Sequence, residues 1–410
     1  MELKAGYKRS DLGSIPQDWD AIPIGHVSEC LIGLTYSPVN VRDFGTLVLR
    51  SSNVQNGRLA FDDNVFVEMD VPLRVITRTN DILICVRNGS RQLIGKCALI
   101  DESTAGSAFG AFMSVLRSDS AQFLFFQFQS NILKRQINEV MGATINQITN
   151  RDMAAFKVIW PPNKVEQQAI AEALSDADAL IKSLDQLITK KHDLKQGVMQ
   201  ELLTGKKRLP GFSGEWEVKR LAELADIRSG GTPSTTQLRF WEGDVMWCTP
   251  TDITGLNGFK YLSDTTRKIS TEGLKASSAE VIPVNSIVMT SRATIGECAI
   301  NRVPMTTNQG FKNFVPFGSV DVEFLYYLLM TQRQGFIGLC SGSTFLEIGK
   351  TQLAAYEVKL PGTKDEQTAI ATILSDMDTE LAELQSRLAK ARQIKQGMMQ
   401  ELLTGRIRLL

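Results

Sequence analysis

The strongest hydrophobic pattern in the chain is a long apolar stripe that occurs twice. Residues 166–209 return as residues 366–409 at a constant offset of 200 residues, and 23 of the 44 paired positions are identical. The identical positions include the run MQELLTG, which begins at Met199 and again at Met399. A gapless repeat of this length indicates two copies of one structural unit.

Each copy predicts one long amphipathic helix. Its apolar residues recur in steps of three and four, which is the spacing of a coiled-coil seam. No proline interrupts residues 166–204 or 366–404, and Gly205 and Gly405 stand where a helix would end. Two matching stripes on one chain can pair with each other. Because the first helix enters the second lobe and the second helix leaves it, we expect the pair to be antiparallel. The predicted seam consists of Leu174, Ile181, Leu184 and Ile188 in the first copy, and of Leu374, Met377, Leu381, Leu384 and Leu388 in the second.

The region before each helix predicts a lobe of mixed α/β fold. Alternating runs at residues 45–50, 81–86 and 95–100 are typical of strands, and FLFFQF at residues 123–128, continuing through Ile132 and Ile137, favours a helix. Residues 141–144 predict a turn. The same order returns in the second lobe, where IGECA at residues 295–299 matches IGKCA at residues 94–98.

These elements predict two similar α/β lobes separated by two long antiparallel helices that form a coiled coil, in a pseudo-twofold, cyclic arrangement. The predicted segments are a first lobe at residues 1–160, a first helix at 161–209, a second lobe at 210–360 and a second helix at 361–410. The core runs of the lobes match while their loops differ. Recognition usually resides in loops, so the lobes are expected to recognise different partners or sites.

Overall charge does not favour a nucleic-acid-binding protein. The 410 residues include 45 Lys and Arg against 45 Asp and Glu. Residues 1–150 carry 14 basic against 15 acidic residues, and residues 212–360 carry the same numbers. A DNA-binding surface would therefore have to come from uneven placement of charge. Ten of the 14 basic residues in the first lobe are arginines, which suit bidentate phosphate and base contacts.

Motifs of catalysis are missing from the sequence. It contains no GxxxxGK[ST] phosphate loop, no GxGxxG after a strand and no GxSxG elbow. The six cysteines form no CxxC pair and the only histidines are His26 and His192, so we expect no metal site. No apolar run reaches 18 residues and no signal peptide is evident, so we expect a cytoplasmic protein without membrane spans. A cofactor-free binding scaffold fits better than an enzyme.

Two variable lobes, each followed by a repeated helix that ends in QELLTGxxRL, resemble the specificity (S) subunit of bacterial type I restriction–modification systems. The resemblance covers the whole chain. In the first lobe, RNGSR at residues 87–91 departs from the SRAT found at residues 291–294 of the second. The phrases that carry the resemblance are PPNKVEQQAIAEALSDAD, LPGTKDEQTAIATILSDMD, both MQELLTG runs, and SGGTPS, SRATIGECAI and TNQGFKNF in the second lobe.

The resemblance implies that each lobe is a target-recognition domain that binds one half of a bipartite site in double-stranded DNA. The helices would set the spacer between half-sites and dock two methyltransferase (modification) subunits, which restriction subunits then join. S-adenosylmethionine, ATP and magnesium would be used by those partners, and this chain would hold no cofactor and perform no catalysis.

Polar side chains on the loops can contact base edges, with Arg suited to guanine and Asn or Gln to adenine. The candidate DNA-binding residues are Arg50, Ser51, Asn53, Arg87, Asn88 and Arg91 in the first lobe, and Thr232, Ser234, Thr249, Thr251, Asp252, Arg292, Asn308, Gln309 and Lys350 in the second.

Two other functions are compatible with the sequence. One is a coiled-coil adaptor that binds proteins without recognising DNA, and a salt-dependent DNA affinity of the assembled complex would argue against it. The other is a single-chain nuclease, which the absence of an evident metal-binding acid cluster disfavours.

Overall fold

The computed structural model describes residues 5–141, 146–340 and 346–409. The chain divides into two compact units, the first comprising Met1–Leu184 with Arg387–Leu410 and the second comprising Asp185–Ser386. Each unit therefore contains one lobe and parts of both long helices. Of the turn predicted at residues 141–144, all but Met141 lies outside the described residues.

The first lobe is built on two small sheets. Its elements are β1 (Tyr7–Ser10), β2 (Gly13–Pro16), β3 (Asp20–Pro23), β4 (Glu29–Ile32), β5 (Val41–Arg42), β6 (Thr46–Leu49), β7 (Val54–Gln55), β8 (Arg58–Leu59), β9 (Phe66–Val67), β10 (Ile82–Cys85), β11 (Cys97–Leu99), β12 (Ala108–Phe109), β13 (Met113–Arg117), α1 (Ala121–Gln129), α2 (Asn131–Val140), α3 (Asn150–Ala155), β14 (Lys157–Trp160) and then α4 (Lys164–Leu202). The strand order is β11-β10-β13-β4 in one sheet and β12-β6-β9-β5 in the other.

The strands predicted at residues 45–50, 81–86 and 95–100 are present as β6, β10 and β11. The helix predicted from residue 123 through Ile137 is present as two helices. Ser130 separates them, and its hydroxyl accepts a hydrogen bond from the Leu133 N–H at 3.3 Å, which caps α2. A serine hydroxyl that satisfies a free N–H at a helix start favours a new helix over continuation of the old one.

The second lobe repeats this plan. The elements are β15 (Trp216–Arg220), α5 (Leu221–Leu224), β16 (Ala225–Ser229), β17 (Val245–Cys248), α6 (Pro250–Thr254), β18 (Tyr261–Leu262), β19 (Arg267–Ile269), α7 (Thr271–Lys275), β20 (Ile287–Thr290), β21 (Cys298–Asn301), β22 (Thr306–Thr307), β23 (Phe311–Pro316), α8 (Val322–Thr331), α9 (Arg333–Gly338), α10 (Lys350–Ala355), β24 (Glu357–Pro361) and α11 (Lys364–Leu402). The larger sheet has the order β16-β23-β20-β21-β18, and the smaller sheet has the order β19-β17-β22.

The long helices α4 and α11 each contain 39 residues, as the repeat predicts. Within each unit they run antiparallel. In the first unit Leu174 shares a core with Leu402, and in the second Leu374 shares a core with Leu202. Among the predicted seam residues, Ile188 and Met377 are half-buried, while the buried ones are Leu174, Ile181, Leu184, Leu374, Leu381, Leu384 and Leu388.

Each stripe also contains a lysine that the hydrophobic pattern does not explain. In the first unit Lys395 Nζ lies 2.6 Å from an oxygen of Asp178 and 5.3 Å from the centre of the Phe126 ring. In the second unit Lys195 pairs in the same way with Asp378, beside the ring of Tyr327. Lys395 and Lys195 thus place an ion pair between the helices in each unit, and in the second unit Lys191 adds another with Glu380 at 2.6 Å.

A buried cluster joins the lobe to the helices in each unit. In the first unit the Trp19 indole donates to Glu166 at 3.3 Å, and Arg408 donates to the same carboxylate. Glu166 has no exposed surface. In the second unit the equivalent residues Trp216, Glu366 and Arg208 make the same contacts. The arginine after each QELLTG run therefore neutralises the glutamate at the start of the opposing helix.

Candidate nucleic-acid interface

In the first lobe, two of the predicted loops meet. Ser51 follows β6 of one sheet, and Asn88 follows β10 of the other. The Asn88 side-chain amide donates to the Ser51 hydroxyl at 3.1 Å. The Asn88 backbone N–H also bonds to the Asn146 carbonyl at 3.3 Å. The polar ends of both sheets are thus gathered on one surface of the lobe.

Arg87 projects from this surface. Its side chain is exposed, and its guanidinium lies 5.1 Å from the centre of the Phe112 ring. The backbone N–H groups of Val86 and Arg87 both bond to the Phe112 carbonyl, which fixes the loop beneath the side chain. When a guanidinium lies over an aromatic ring, the ring does not occupy its N–H donors. These donors therefore remain able to contact a base edge or a phosphate.

Two other first-lobe candidates have most of their hydrogen-bonding groups occupied. Asn53 is fully buried, its amide nitrogen donates to the Ala60 carbonyl at 2.9 Å, and its oxygen accepts from the Arg50 N–H at 2.9 Å. Arg50 itself forms an ion pair with Asp63 at 2.8 Å. The structure gives Asn53 the role of holding this loop, and it does not place the amide at a surface that DNA could reach.

Arg91 is exposed but serves a helix end. Its guanidinium donates to the Asn138 carbonyl at 3.0 Å, near the end of α2. The last carbonyls of a helix lack partners within the helix, and a cation there is stabilised by the helix dipole. Arg91 therefore has a structural function that Arg87 does not share.

In the second lobe, Thr232 and Gln309 are brought together from loops 77 residues apart, and the Thr232 hydroxyl bonds to the Gln309 side chain. The loops approach closely at Gly230, where a Cβ would lie 1.9 Å from the Asn308 carbonyl oxygen. The first lobe has a similar close approach at Gly33, where a Cβ would lie 2.1 Å from the Gly110 carbonyl oxygen. Only glycine fits either position, which explains the SGGTPS run, while Gly33 was not found from the sequence.

The side chains of Asp252 and Thr249 mostly organise their own loop. One Asp252 oxygen accepts from the Thr249 hydroxyl at 2.7 Å, and the other accepts from the Thr266 hydroxyl at 2.7 Å. Burial alone would raise the pKa of Asp252, but the hydrogen bonds from Thr266 and Thr249 lower it below its ordinary value. One Asp252 oxygen also accepts from the Thr249 backbone N–H at 2.7 Å, which is the capping-box contact at the start of α6.

The remaining second-lobe candidates are placed as follows. Thr251, Ser234, Gln309 and Lys350 are exposed. The Ser234 hydroxyl lies 2.9 Å from that of Thr236, and the Asn308 side-chain oxygen accepts from the Gly310 N–H at 2.8 Å.

Arg292, Lys312 and Lys350 form a basic group around one acid. Arg292 pairs with Glu347 at 2.8 Å, and the buried Lys312 lies 3.8 Å from the other oxygen of Glu347. Burial is the main cause that lowers the pKa of Lys312, and Arg292 and Lys350 add to it while Glu347 opposes it. Sequence reasoning missed Lys312 because it lies in β23, although a lysine inside the apolar run FKNFV was a usable signal.

Other kinds of site receive no support from the parts of the chain that the structure describes. No group of three or more His, Cys, Asp or Glu side chains could hold a metal ion there. Burial raises the pKa of the Cys97 thiol to about 12, so this thiol is protonated at neutral pH. No helix among these residues combines the length and apolar character needed to cross a membrane.

Comparison with known proteins identifies the family. A family model described as the type I restriction modification DNA specificity domain matches residues 73–190 and 213–392. These ranges take in the second half of the first lobe, nearly all of the second lobe and much of both long helices. The chain therefore belongs to the type I restriction–modification DNA specificity family.

Two curated relatives are similar over part of the chain. The type I restriction enzyme MjaIX specificity subunit of Methanocaldococcus jannaschii is 38% identical over 166 residues, which are 40% of this chain and 38% of that protein. The EcoR124I/EcoR124II specificity subunit of Escherichia coli is 30% identical over 173 residues, or 40% of this chain and 42% of that protein. The chain thus matches about two fifths of the length of each of these relatives.

A solved structure extends the similarity of fold to nearly the whole chain. The type I restriction–modification S subunit from M. genitalium superposes with a TM-score of 0.61 at 16% identity, covering 98% of each chain. At this identity the agreement establishes the fold, a pair of α/β lobes with two long helices.

Proposed function

We propose that this chain is the DNA sequence-recognition subunit of a type I restriction–modification complex, in which each lobe binds one half of a bipartite target. The observation that carries the proposal is the family match to both lobes. It is supported by the polar loops that meet at the ends of the two sheets, through Asn88 and Ser51 in one lobe and Thr232 and Gln309 in the other.

Within this proposal, the exposed groups are the best candidates for contacts to DNA. Arg87 in the first lobe can donate two hydrogen bonds to a guanine, and Gln309 in the second can pair with an adenine. Arg292 can contact a guanine in the same way only when its guanidinium leaves Glu347. Lys350 suits a phosphate, where a point charge is sufficient. Asn53 and Asp252 shape the loops that present these groups.

The partners of this chain are proposed to be methyltransferase and restriction subunits. The long helices set the spacer between half-sites and dock two methyltransferase subunits, and restriction subunits complete the complex. Those partners use S-adenosylmethionine, ATP and magnesium, while this chain supplies sequence recognition without catalysis and without a cofactor. Because its partner is cellular DNA, we place the protein in the cytoplasm.

A DNA-binding titration with the assembled methyltransferase complex tests the proposal. The logarithm of the affinity should fall linearly with the logarithm of salt concentration, because each neutralised phosphate releases counterions. The complex should also bind duplex DNA that contains one particular bipartite sequence more tightly than duplex DNA of random sequence. A complex that forms normally but binds every duplex equally, or binds none, would support a protein-binding adaptor instead.

The chain purified without partners should transfer no methyl group to DNA, and measurable transfer would contradict its non-catalytic role.

A further inference from the structure

Arg267 is an exposed arginine of the second lobe whose guanidinium lies against two tryptophan rings. Its central carbon is 4.1 Å from the centre of the Trp241 ring and 5.1 Å from the centre of the Trp247 ring. The two indoles meet edge to face, with their centres 4.8 Å apart. Aromatic rings hold a guanidinium in place without occupying its N–H donors, so these donors remain available to an acceptor.

No carboxylate of the described chain neutralises this guanidinium. Among the residues that the structure describes, the Arg267 side chain forms no ion pair and no hydrogen bond. The acids close to it in the chain and in the fold are engaged by other groups. Asp264 lies 3.8 Å from Lys268, and Asp252 accepts from the hydroxyl of Thr266 at 2.7 Å. The second lobe thus presents a positioned cation that its own acids leave unpaired.

Arg267 lies at the end of the smaller sheet from which the candidate loops leave. It is the first residue of β19, which runs antiparallel to β17 and pairs Arg267 with Trp247. On its other side Trp247 pairs with Thr306 of β22, which runs parallel to β17. β17 and β22 continue directly into the loops that carry Thr249 and Gln309. Arg267 therefore shares one end of the sheet with both loops.

The two indoles also hold the loop that contains the SGGTPS run. The Trp247 N–H donates to the Gly231 carbonyl at 2.9 Å, and the Trp241 N–H donates to the Ser234 carbonyl at 3.0 Å. Arg267 and this loop are thus fixed to the same pair of rings. Sequence reasoning missed Arg267, because an arginine in a three-residue strand gives no signal until the fold places it beside both tryptophans.

The spacing of the strands separates Arg267 from the residue proposed to contact a base. β19 and β22 are the outer strands of the smaller sheet, and β17 lies between them. Neighbouring strands are about 4.8 Å apart, so Arg267 and the strand that leads to Gln309 are about 10 Å apart. The major groove of DNA is about 12 Å wide. With Gln309 in the groove, a cation displaced by this distance meets the phosphate backbone at the edge of the groove.

We propose that Arg267 binds a phosphate of the DNA backbone and so fixes the position of the second lobe on its half-site. The inference rests on the proposed function, DNA recognition. A guanidinium suits two parallel hydrogen bonds to phosphate oxygens, and such contacts orient a protein on the duplex without reading its sequence. In the first lobe the counterpart of Trp247 is Val48, whose N–H bonds to the Val65 carbonyl, so a valine stands where Arg267 does. The contact therefore belongs to one half-site only.

The test compares the assembled methyltransferase complex containing the wild-type chain with the complex containing Arg267→Ala, by DNA-binding titrations at a series of salt concentrations. Loss of one phosphate contact should weaken binding about tenfold at low salt, equally for target and random-sequence duplexes. The slope of the logarithm of affinity against the logarithm of salt concentration should become shallower by about one. Arg267→Lys keeps the charge and should keep the wild-type slope.

Two results for Arg267→Ala would overturn the proposal. One is an affinity and a slope equal to those of the wild type. The other is a loss confined to target duplexes with an unchanged slope, because that pattern indicates a contact to a base. A wild-type complex that binds no DNA would overturn both this inference and the proposed function, whereas normal wild-type binding with an unaffected Arg267→Ala complex would overturn this inference alone.

Arg302→Ala is the matched control from the same lobe. Arg302 is also exposed and lies 3.8 Å from the centre of the Tyr261 ring, but its guanidinium donates to the Asn285 side chain at 2.9 Å. Asn285 precedes β20 and Arg292 follows it, so this arginine is at the opposite end of the larger sheet. Its removal should leave DNA affinity and slope unchanged, and circular dichroism should show both variants folded. Equal losses in the two variants would overturn the proposal, because general charge would then explain the effect.

Discussion

Arg408 and Glu166 are 242 positions apart in the chain, yet the guanidinium of one binds the fully buried carboxylate of the other. Arg208 and Glu366 repeat this contact in the second unit, with hydrogen bonds of 2.7 and 2.8 Å. The repeated QELLTGxxRL phrase therefore has a physical explanation. Its arginine neutralises a buried acid at the start of the opposing helix, while its leucines fill the core beneath each lobe.

Removal of this arginine should be strongly destabilising. Arg408→Leu leaves Glu166 buried and unpaired, so we expect a loss of about 3–5 kcal/mol in the free energy of unfolding. Urea denaturation followed by circular dichroism measures it. Arg406→Leu is the matched control, because the ion pair that the Arg406 guanidinium forms among the described residues is an exposed one with Glu401 at 3.4 Å. A change as small as the control's would mean that the pair does not hold the unit together.

The role assigned to Asp252 can be tested through stability and pH. Asp252→Ala removes the acceptor for the Thr249 N–H in the capping box of α6 and for the Thr266 hydroxyl, and we expect a loss of helix-cap size, about 0.5–2 kcal/mol at neutral pH. Because folding lowers the pKa of Asp252, its contribution is complete above the ordinary aspartate pKa of about 3.9 and is lost as pH falls through the lower folded value.

The difference in stability between the wild type and Asp252→Ala should therefore shrink below about pH 4. Denaturation at a series of pH values measures it, and Asp244→Ala, at an exposed acid of the same lobe, is the control. A difference that stays constant down to strongly acidic pH would show that the Asp252 carboxylate does not provide the stabilisation.

Arg87 and Arg91 should differ in their effects on DNA binding. Arg87→Ala removes free guanidinium donors, and it should weaken binding by about 1–3 kcal/mol while relaxing sequence preference in one half-site. Arg91→Ala removes the same charge, but its guanidinium serves the end of α2, so its main effect should be on stability. Affinity measurements with randomised half-sites compare them, and equal losses would show that general charge, not placement, determines binding.

The length of the helices provides a test of the spacer hypothesis. Four residues inserted into both α4 and α11, near Leu184 and Leu384, lengthen each helix by about 6 Å. Since DNA rises 3.4 Å per base pair, the spacer should grow by about two base pairs with both half-sites unchanged. Two-residue insertions turn the apolar stripe by about 200° and should break the pairing. An active four-residue variant with an unchanged spacer would leave the helices as a docking surface only.

The periodic parts of the fold were predictable from the sequence. A repeat in register, with apolar steps of three and four, determines both α4 and α11, and alternating apolar runs mark β6, β10 and β11. The break at Ser130 was not predictable from periodicity, because the apolar pattern continues across it while a single hydroxyl caps the second helix.

The site was predictable only as a set of loops. Asn53 and Asn88 have the same side chain in similar polar turns, yet Asn53 is fully buried, while Asn88 is half-buried and bonds to Ser51 on the loop after the other sheet. That difference depends on contacts between segments far apart in the chain. Lys312 was missed for the same reason, since its burial beside Glu347 follows from sheet packing. Loop residues identify a surface from sequence, but packing decides which side chains reach it.

The central claim is that each lobe reads its own half-site, and an exchange of lobes tests it most directly. Residues 13–160 are replaced by the corresponding lobe of another specificity subunit, and methylated sites are mapped in cells that also carry the partner subunits. We expect one half of the bipartite target to change while the other half stays as in the wild type. A change in both halves, or in neither half of an active complex, would contradict the claim.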